Sequence, residues 1–69
     1  MAVWDYFVLE RTQNSYGEAV YCKGGTQEAV CPNDTPEERV LNIFGQHGYE
    51  LTGIVVTRMG DTKFYFKRL

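Results

Sequence analysis

TPEERVLNIFGQHGYEL, residues 35–51, is the stretch whose reading decides the fold. Thr35 precedes Pro36, and Glu38 follows three residues after the threonine. That spacing predicts a helix with Thr35 as N-cap and a capping box, in which hydroxyl and carboxylate each satisfy an orphan backbone N–H. Proline's fixed φ suits the first helical position. Glu37 and Glu38 stand at the positive end of the helix dipole. Val40, Leu41, Ile43 and Phe44 fall on one side at ~100° per residue, giving an apolar stripe. Gly45 weakens the last turn, and Gly48 is expected to end the helix in the left-handed conformation. His47 is placed to interact with the dipole and the last carbonyls. Beyond Gly48 the pattern changes to that of a strand.

On the C-terminal side, residues 49–58 are the longest strand candidate. Leu51, Ile54, Val55 and Val56 form a nearly continuous apolar run, which predicts a central strand covered on both faces. Gly53 interrupts the alternation and predicts a bulge or a close backbone approach. Residues 59–62 (MGDT) read as a turn. Residues 63–69 then alternate, with Phe64 and Phe66 expected to face the helix and Lys63, Tyr65, Lys67 and Leu69 to face away.

On the N-terminal side, residues 3–11 are apolar at both parities: Trp4, Tyr6 and Val8 on one face, Val3, Phe7 and Leu9 on the other. This too predicts a central strand. Trp4 and Tyr6 are assigned to the helix side, leaving Phe7 and Leu9 on the far side. Residues 12–15 (TQNS) are a polar connection. Residues 16–22 and 27–31 flank Lys23-Gly24-Gly25-Thr26, and paired glycines between β-prone runs predict a hairpin. The order is therefore β-β-β-α-β-β. The expected class is α+β: a mainly antiparallel sheet of about five strands with one helix packed on one face. Residues 1–69 are read as a single domain.

Some of these pieces form a familiar set. Trp4-Asp5-Tyr6, Leu41-Asn42, Gly48-Tyr49-Glu50-Leu51 and Phe66-Lys67-Arg68 together resemble a family of small bacterial and phage proteins catalogued as a domain of unknown function. The resemblance covers both ends and the helix, roughly half of the chain. Two features depart from it: Tyr49 stands where the family has Trp, and the hairpin over residues 16–31 is an insertion. The resemblance implies a small strand-rich fold with one helix and lends no reaction, cofactor or catalytic residue. It makes an origin in a mobile element conceivable.

Composition narrows the function classes. The net charge is −2, with 23% charged and 14% aromatic residues. Coating nucleic acid through phosphate contacts needs clustered Lys and Arg, so direct nucleic-acid binding is not expected. Arg58, Lys63, Lys67 and Arg68 read as a solvated face whose lysines guard an edge. The N-terminus shows no basic and apolar leader, and no apolar run approaches the ~20 residues that span a bilayer. A cytoplasmic protein that keeps away from membranes is expected, in the host cytoplasm if the chain is phage-encoded. Cys22, Cys31 and His47 fall short of a four-ligand zinc site, and no CxxC occurs. Reduced structural cysteines are expected. Gly24-Gly25 after Lys23 lacks the order of a phosphate-binding loop. No catalytic constellation, cofactor motif or metal set is read, so an enzyme is not expected.

The expected function is a non-enzymatic protein-interaction module whose partner is a protein. One helix covers one sheet face, leaving Phe7, Leu9, Tyr65 and Leu69 on the other, and a monomer rarely exposes a large apolar patch. Either the middle hairpin folds back over that face or another chain covers it, and a two-fold homodimer is the simplest such chain. Glu18, Tyr21 and Glu28 on the projecting hairpin are further candidate contacts. Two alternatives stand beside this reading. One is a phage or mobile-element inhibitor that blocks a host defence protein such as a nuclease complex. The other is a small-ligand binder using an aromatic groove between Trp4, Tyr49 and the helix.

Overall fold

A computed structural model describes residues 3–69. Among these residues the elements are β1 (Asp5–Gln13), β2 (Ala19–Lys23), α1 (Glu37–Gln46), β3 (Glu50–Val56) and β4 (Thr62–Arg68). The four strands form one antiparallel sheet in the order β2-β1-β4-β3, with α1 on one face. The α+β class and antiparallel sheet follow the expectation; the strand count is four.

The missing strand is the second arm of the expected hairpin. After the Lys23-Gly24-Gly25-Thr26 turn, only one bridge forms, Cys22 with Ala29. Two backbone bonds flank it, from Lys23 N–H to Glu28 O and from Val30 N–H to Tyr21 O. Gly24 continues the other side of β2: its N–H donates to Val8 O at 2.8 Å. A Cβ on Gly24 would lie 2.9 Å from the Val8 side chain, so only glycine fits without displacement.

Register fixes which face is which. Phe7 lies opposite Phe66 and Leu9 opposite Phe64. Residues directly opposite one another in an antiparallel pair share a face. Phe64 and Phe66 face the helix as expected, so Phe7 and Leu9 do also. This corrects the assignment of β1: Trp4 and Tyr6 belong to the open face, and Phe7 and Leu9 to the core. Both parities of β1 are apolar, so sequence alternation could not choose between them.

The core is Leu9, Tyr21, Val40, Phe64 and Phe66, with Phe7, Ala19, Cys31, Leu41, Phe44 and Tyr49 packed around it. Phe44 stacks on Phe66 with ring centroids 4.7 Å apart, and Phe7 tilts against Phe44 at 5.0 Å. Such aromatic pairs stabilise beyond their buried area.

The helix begins one residue later than expected. Pro36 occupies the N-cap, with no side-chain cap. The Thr35 hydroxyl donates to Pro32 O instead, and Glu37 pairs with Arg11 at 2.9 Å. At the other end the glycine stop forms as expected. Gly48 has φ +83°, its N–H donates to Gly45 O, and Tyr49 N–H reaches back to Phe44 O. This is the Schellman arrangement, and its accompanying apolar contact is present: the Tyr49 and Phe44 rings are 5.8 Å apart.

β3 is an edge strand, which corrects the expectation of a central one. Its apolar run is largely exposed: Ile54 53%, Val55 51% and Val56 67%. β4 takes the central place beside β1. The bulge expected at Gly53 is present, with the register shifting between Leu51 and Gly53. Both hairpin loops share one construction. In each, a glycine of positive φ (Gly17 or Gly60) donates to the residue three before it (Asn14 or Thr57). The side chain of that first residue accepts the N–H of the residue four after it, Glu18 or Asp61.

Candidate interaction surface

With α1 on one face, no helix or strand among the described residues packs over the other, although Cys22 at its β2 end is buried. β1 contributes Tyr6, Val8 and Glu10, preceded by Trp4. β4 contributes Lys63, Tyr65 and Lys67. The register sets these side by side: Tyr6 opposite Lys67, Val8 opposite Tyr65, Glu10 opposite Lys63. On the β3 side Val55 lies opposite Lys63, and Gly53 opposite Tyr65. Tyr6 is 70% exposed, and Trp4 and Tyr65 are exposed as well. Lys67 Nζ lies 4.3 Å from the Trp4 ring centroid, so a cation–π contact holds the tryptophan at the end of the sheet. A Cβ on Gly53 would meet nothing within 4 Å. The position opposite Tyr65 on β3 therefore carries no side chain and is open to solvent.

The helix side carries a different cluster, a latch between the chain ends and the helix stop. Arg68 donates from Nε to Asp5 at 3.2 Å and from a terminal nitrogen to His47 O at 3.0 Å. Its guanidinium lies 4.4 Å from the Tyr49 ring centroid, and the Tyr49 hydroxyl donates to the same Asp5 oxygen at 3.3 Å. Arg68 thus brings a cation to the C-terminal end of the helix, where His47 holds the C-cap position. Asp5, Tyr49 and Arg68 come from three separate stretches of the chain that the fold brings together.

The residues read from sequence as contacts separate into three groups. Phe7, Leu9 and Tyr21 belong to the core under the helix, with Leu9 and Tyr21 fully buried, and are withdrawn from the surface. Glu18 is half-buried in the first hairpin turn, accepting from Asn14 Nδ2 at 3.0 Å. Glu28 is exposed, but its carbonyl is engaged in covering the β2 edge. Tyr65 lies on the open face as expected, and Leu69 is exposed just beyond β4. Trp4, expected only in a groove with Tyr49, and Tyr6, expected on the helix side, join this open-face surface. The signal that could have found them is cross-strand: pairing Phe7 and Leu9 with Phe66 and Phe64 puts four apolar side chains on one face and leaves the other parity open.

The ligand groove between Trp4 and Tyr49 is not formed. Trp4 stands on the open face with Lys67, whereas Tyr49 packs against Phe7, Phe44 and Phe66 on the helix face. Cys22, opposite Glu10, also belongs to the open-face parity, while Cys31 packs against the core. Both thiols are free. A polar cleft between the hairpin turns includes Arg11, Asp34 and Asp61. Arg11 there is already engaged by Glu37 and by the Thr62 hydroxyl at 3.3 Å. Among the described residues, no group of three or more His, Cys, Asp or Glu is placed to hold a metal ion. No helix among them is long and apolar enough to cross a membrane.

A scan against protein-family models found no match, and searches of curated proteins and of solved structures found no significant match. The reading of function therefore rests on this geometry.

Proposed function

We propose that the chain is a protein-interaction domain that engages its partner through the open face of its sheet. The observation that carries the reading is the trio Trp4, Tyr6 and Tyr65, exposed on the face opposite the helix and flanked by Lys63 and Lys67. Aromatic side chains are the commonest anchors of protein interfaces, since they bury much area and lose little rotamer freedom. The open position at Gly53, opposite Tyr65, leaves room for an apolar anchor from the partner, and the two lysines suit an acidic rim around it.

The test is to capture partners from the source cell on immobilised protein and then measure affinity for the one identified. Tyr6→Ser with Tyr65→Ser should weaken binding by roughly a hundredfold, as loss of two hot-spot rings does. Gly53→Leu, which occupies that open position, should weaken it without lowering stability. Unchanged affinity in both variants overturns the reading.

One observation favours a second reading. Aromatics interleaved with lysines on a four-stranded antiparallel sheet are also the chemistry of a stacking platform for single-stranded nucleic acid. The net charge of −2 and the presence of Glu10 and Glu50 on the same face weigh against it. Trp4 is the only tryptophan, so its fluorescence reports directly. Quenching by oligo(U) or oligo(dT) that disappears as salt rises would select the nucleic acid over the protein partner.

A further inference from the structure

The two edges of the sheet are treated differently. The β2 edge is covered by residues 28–30, through the Lys23 to Glu28 bond, the Val30 to Tyr21 bond and the bridge to Ala29. Among the described residues no strand pairs with the outer edge of β3. Natural edges are usually guarded by lysine, proline or an inward charge. Here residues 51–57, LTGIVVT, contain no charge and no proline.

The orientation of the free backbone groups follows from the hairpin loop. Thr57 N–H donates to Asp61 O at 2.7 Å, so Thr57 points its backbone toward β4. Residues of an antiparallel strand alternate between the two neighbours. Val56 and Ile54 therefore point N–H and C=O outward, and Val55 points inward. The ladder is bounded below by the bulge at residues 51–53 and above by the loop at Thr57.

We infer that this edge pairs with the β3 edge of a second copy, antiparallel about a two-fold axis through Val55. The pattern is self-complementary at that register. Ile54 of one copy faces Val56 of the partner and both present outward backbone groups, so two such pairs give four inter-chain hydrogen bonds. A register centred on Ile54 sets Val56 against the bulged Thr52. One centred on Val56 sets Ile54 against Arg58, in the turn. Only the Val55 register uses both outward residues of both copies. It also joins exposed aliphatics: Ile54 meets the partner's Val56 on the helix side, and Val55 meets the partner's Val55 on the open face. Arg58 falls opposite the partner's Thr52, two positions from Glu50, so opposite charges approach at each end.

The two-fold axis stands perpendicular to the sheet. The product is one eight-stranded sheet with both helices on one side and both open faces continuous on the other. Two copies of the Trp4, Tyr6 and Tyr65 surface are presented together. The pairing goes beyond the open-face reading and stands on different residues.

The test uses the full chain. Sedimentation equilibrium should show a reversible monomer–dimer equilibrium, with Kd in the micromolar range expected of a small interface. Amide exchange at Ile54 and Val56 should slow as concentration rises. Val55→Lys opposes two cations across the axis, and Val56→Pro removes an N–H that the monomer's own sheet does not use. Each should raise Kd by roughly tenfold or more, with circular dichroism and melting confirming that the fold persists. Tyr6→Ser should leave the dimer intact, which separates failure of this pairing from failure of the open-face reading. A monomer at all concentrations up to ~1 mM overturns the inference. So does a dimer that survives both edge substitutions while the Ile54 and Val56 amides exchange freely.

Discussion

Two glycines sit where no other residue fits, for different reasons. At Gly24 the obstacle is space, because a Cβ would press on both the side chain and the carbonyl of Val8. Gly24→Ala should destabilise by about 1–3 kcal/mol, the usual cost of overpacking, read as a lower urea midpoint. At Gly48 there is ample space, but φ is +83°. Gly48→Ala should cost about 1–2 kcal/mol through backbone strain alone. Leu9, fully buried between Phe64 and the β2 strand, is the residue whose truncation matters most. Leu9→Ala should cost about 2–5 kcal/mol and leave a chain of this size largely unfolded at physiological temperature. Gly48 was legible because a capped helix needs a left-handed stop. The role of Gly24 was not, since its obstacle, Val8, is remote in sequence.

The elements were legible in number and type wherever local pattern and tertiary packing agreed. The helix, its glycine stop, the bulge near Gly53 and the strand at each end of the chain follow from spacing alone. The capping box was a fair reading of Thr35 and Glu38, but Pro32 O takes the threonine hydroxyl and Pro36 holds the N-cap. Thr35→Ala should therefore cost well under the ~1 kcal/mol typical of a lost N-cap, measured by thermal unfolding. A larger loss would return Thr35 to the capping role. The third strand failed to form beyond one bridge because residues 26–34 carry the turn-forming sequence TQEAVCPND, with few residues suited to a ladder. The placement of β3 was misread for a different reason. A continuous apolar run signals apolar surface on both faces, and an interface with a second chain would use such a run as readily as a core does.

At the scale of the whole molecule, the one helix among the described residues covers a single face of the four-stranded sheet. The arrangement divides labour between the faces. The helix face carries the core and the Asp5–Tyr49–Arg68 latch; the open face carries exposed rings and lysines. The latch is partly exposed, with Asp5 and Arg68 side chains 57% and 38% accessible. Asp5→Asn should accordingly cost less than about 1 kcal/mol, and that small loss should shrink further in high salt. A combined Tyr6→Ser and Tyr65→Ser chain should melt within a few degrees of the parent, because neither ring supports the helix-side core.

The sequence by itself determined what is local: a helix from its stripe and stop, strands from their alternation, and a bulge and turns from their glycines. Only the tertiary structure decided which parity of β1 meets the helix, which strand lies at the edge, and where Arg68 ends. Each depends on pairing between distant residues, Phe7 with Phe66, β3 with β4 rather than β1, Arg68 with Asp5. Periodicity says how a strand presents its two faces; it carries no information on which neighbour lies beside it or which face the helix covers. The surface proposed to act therefore emerged only once the register was known.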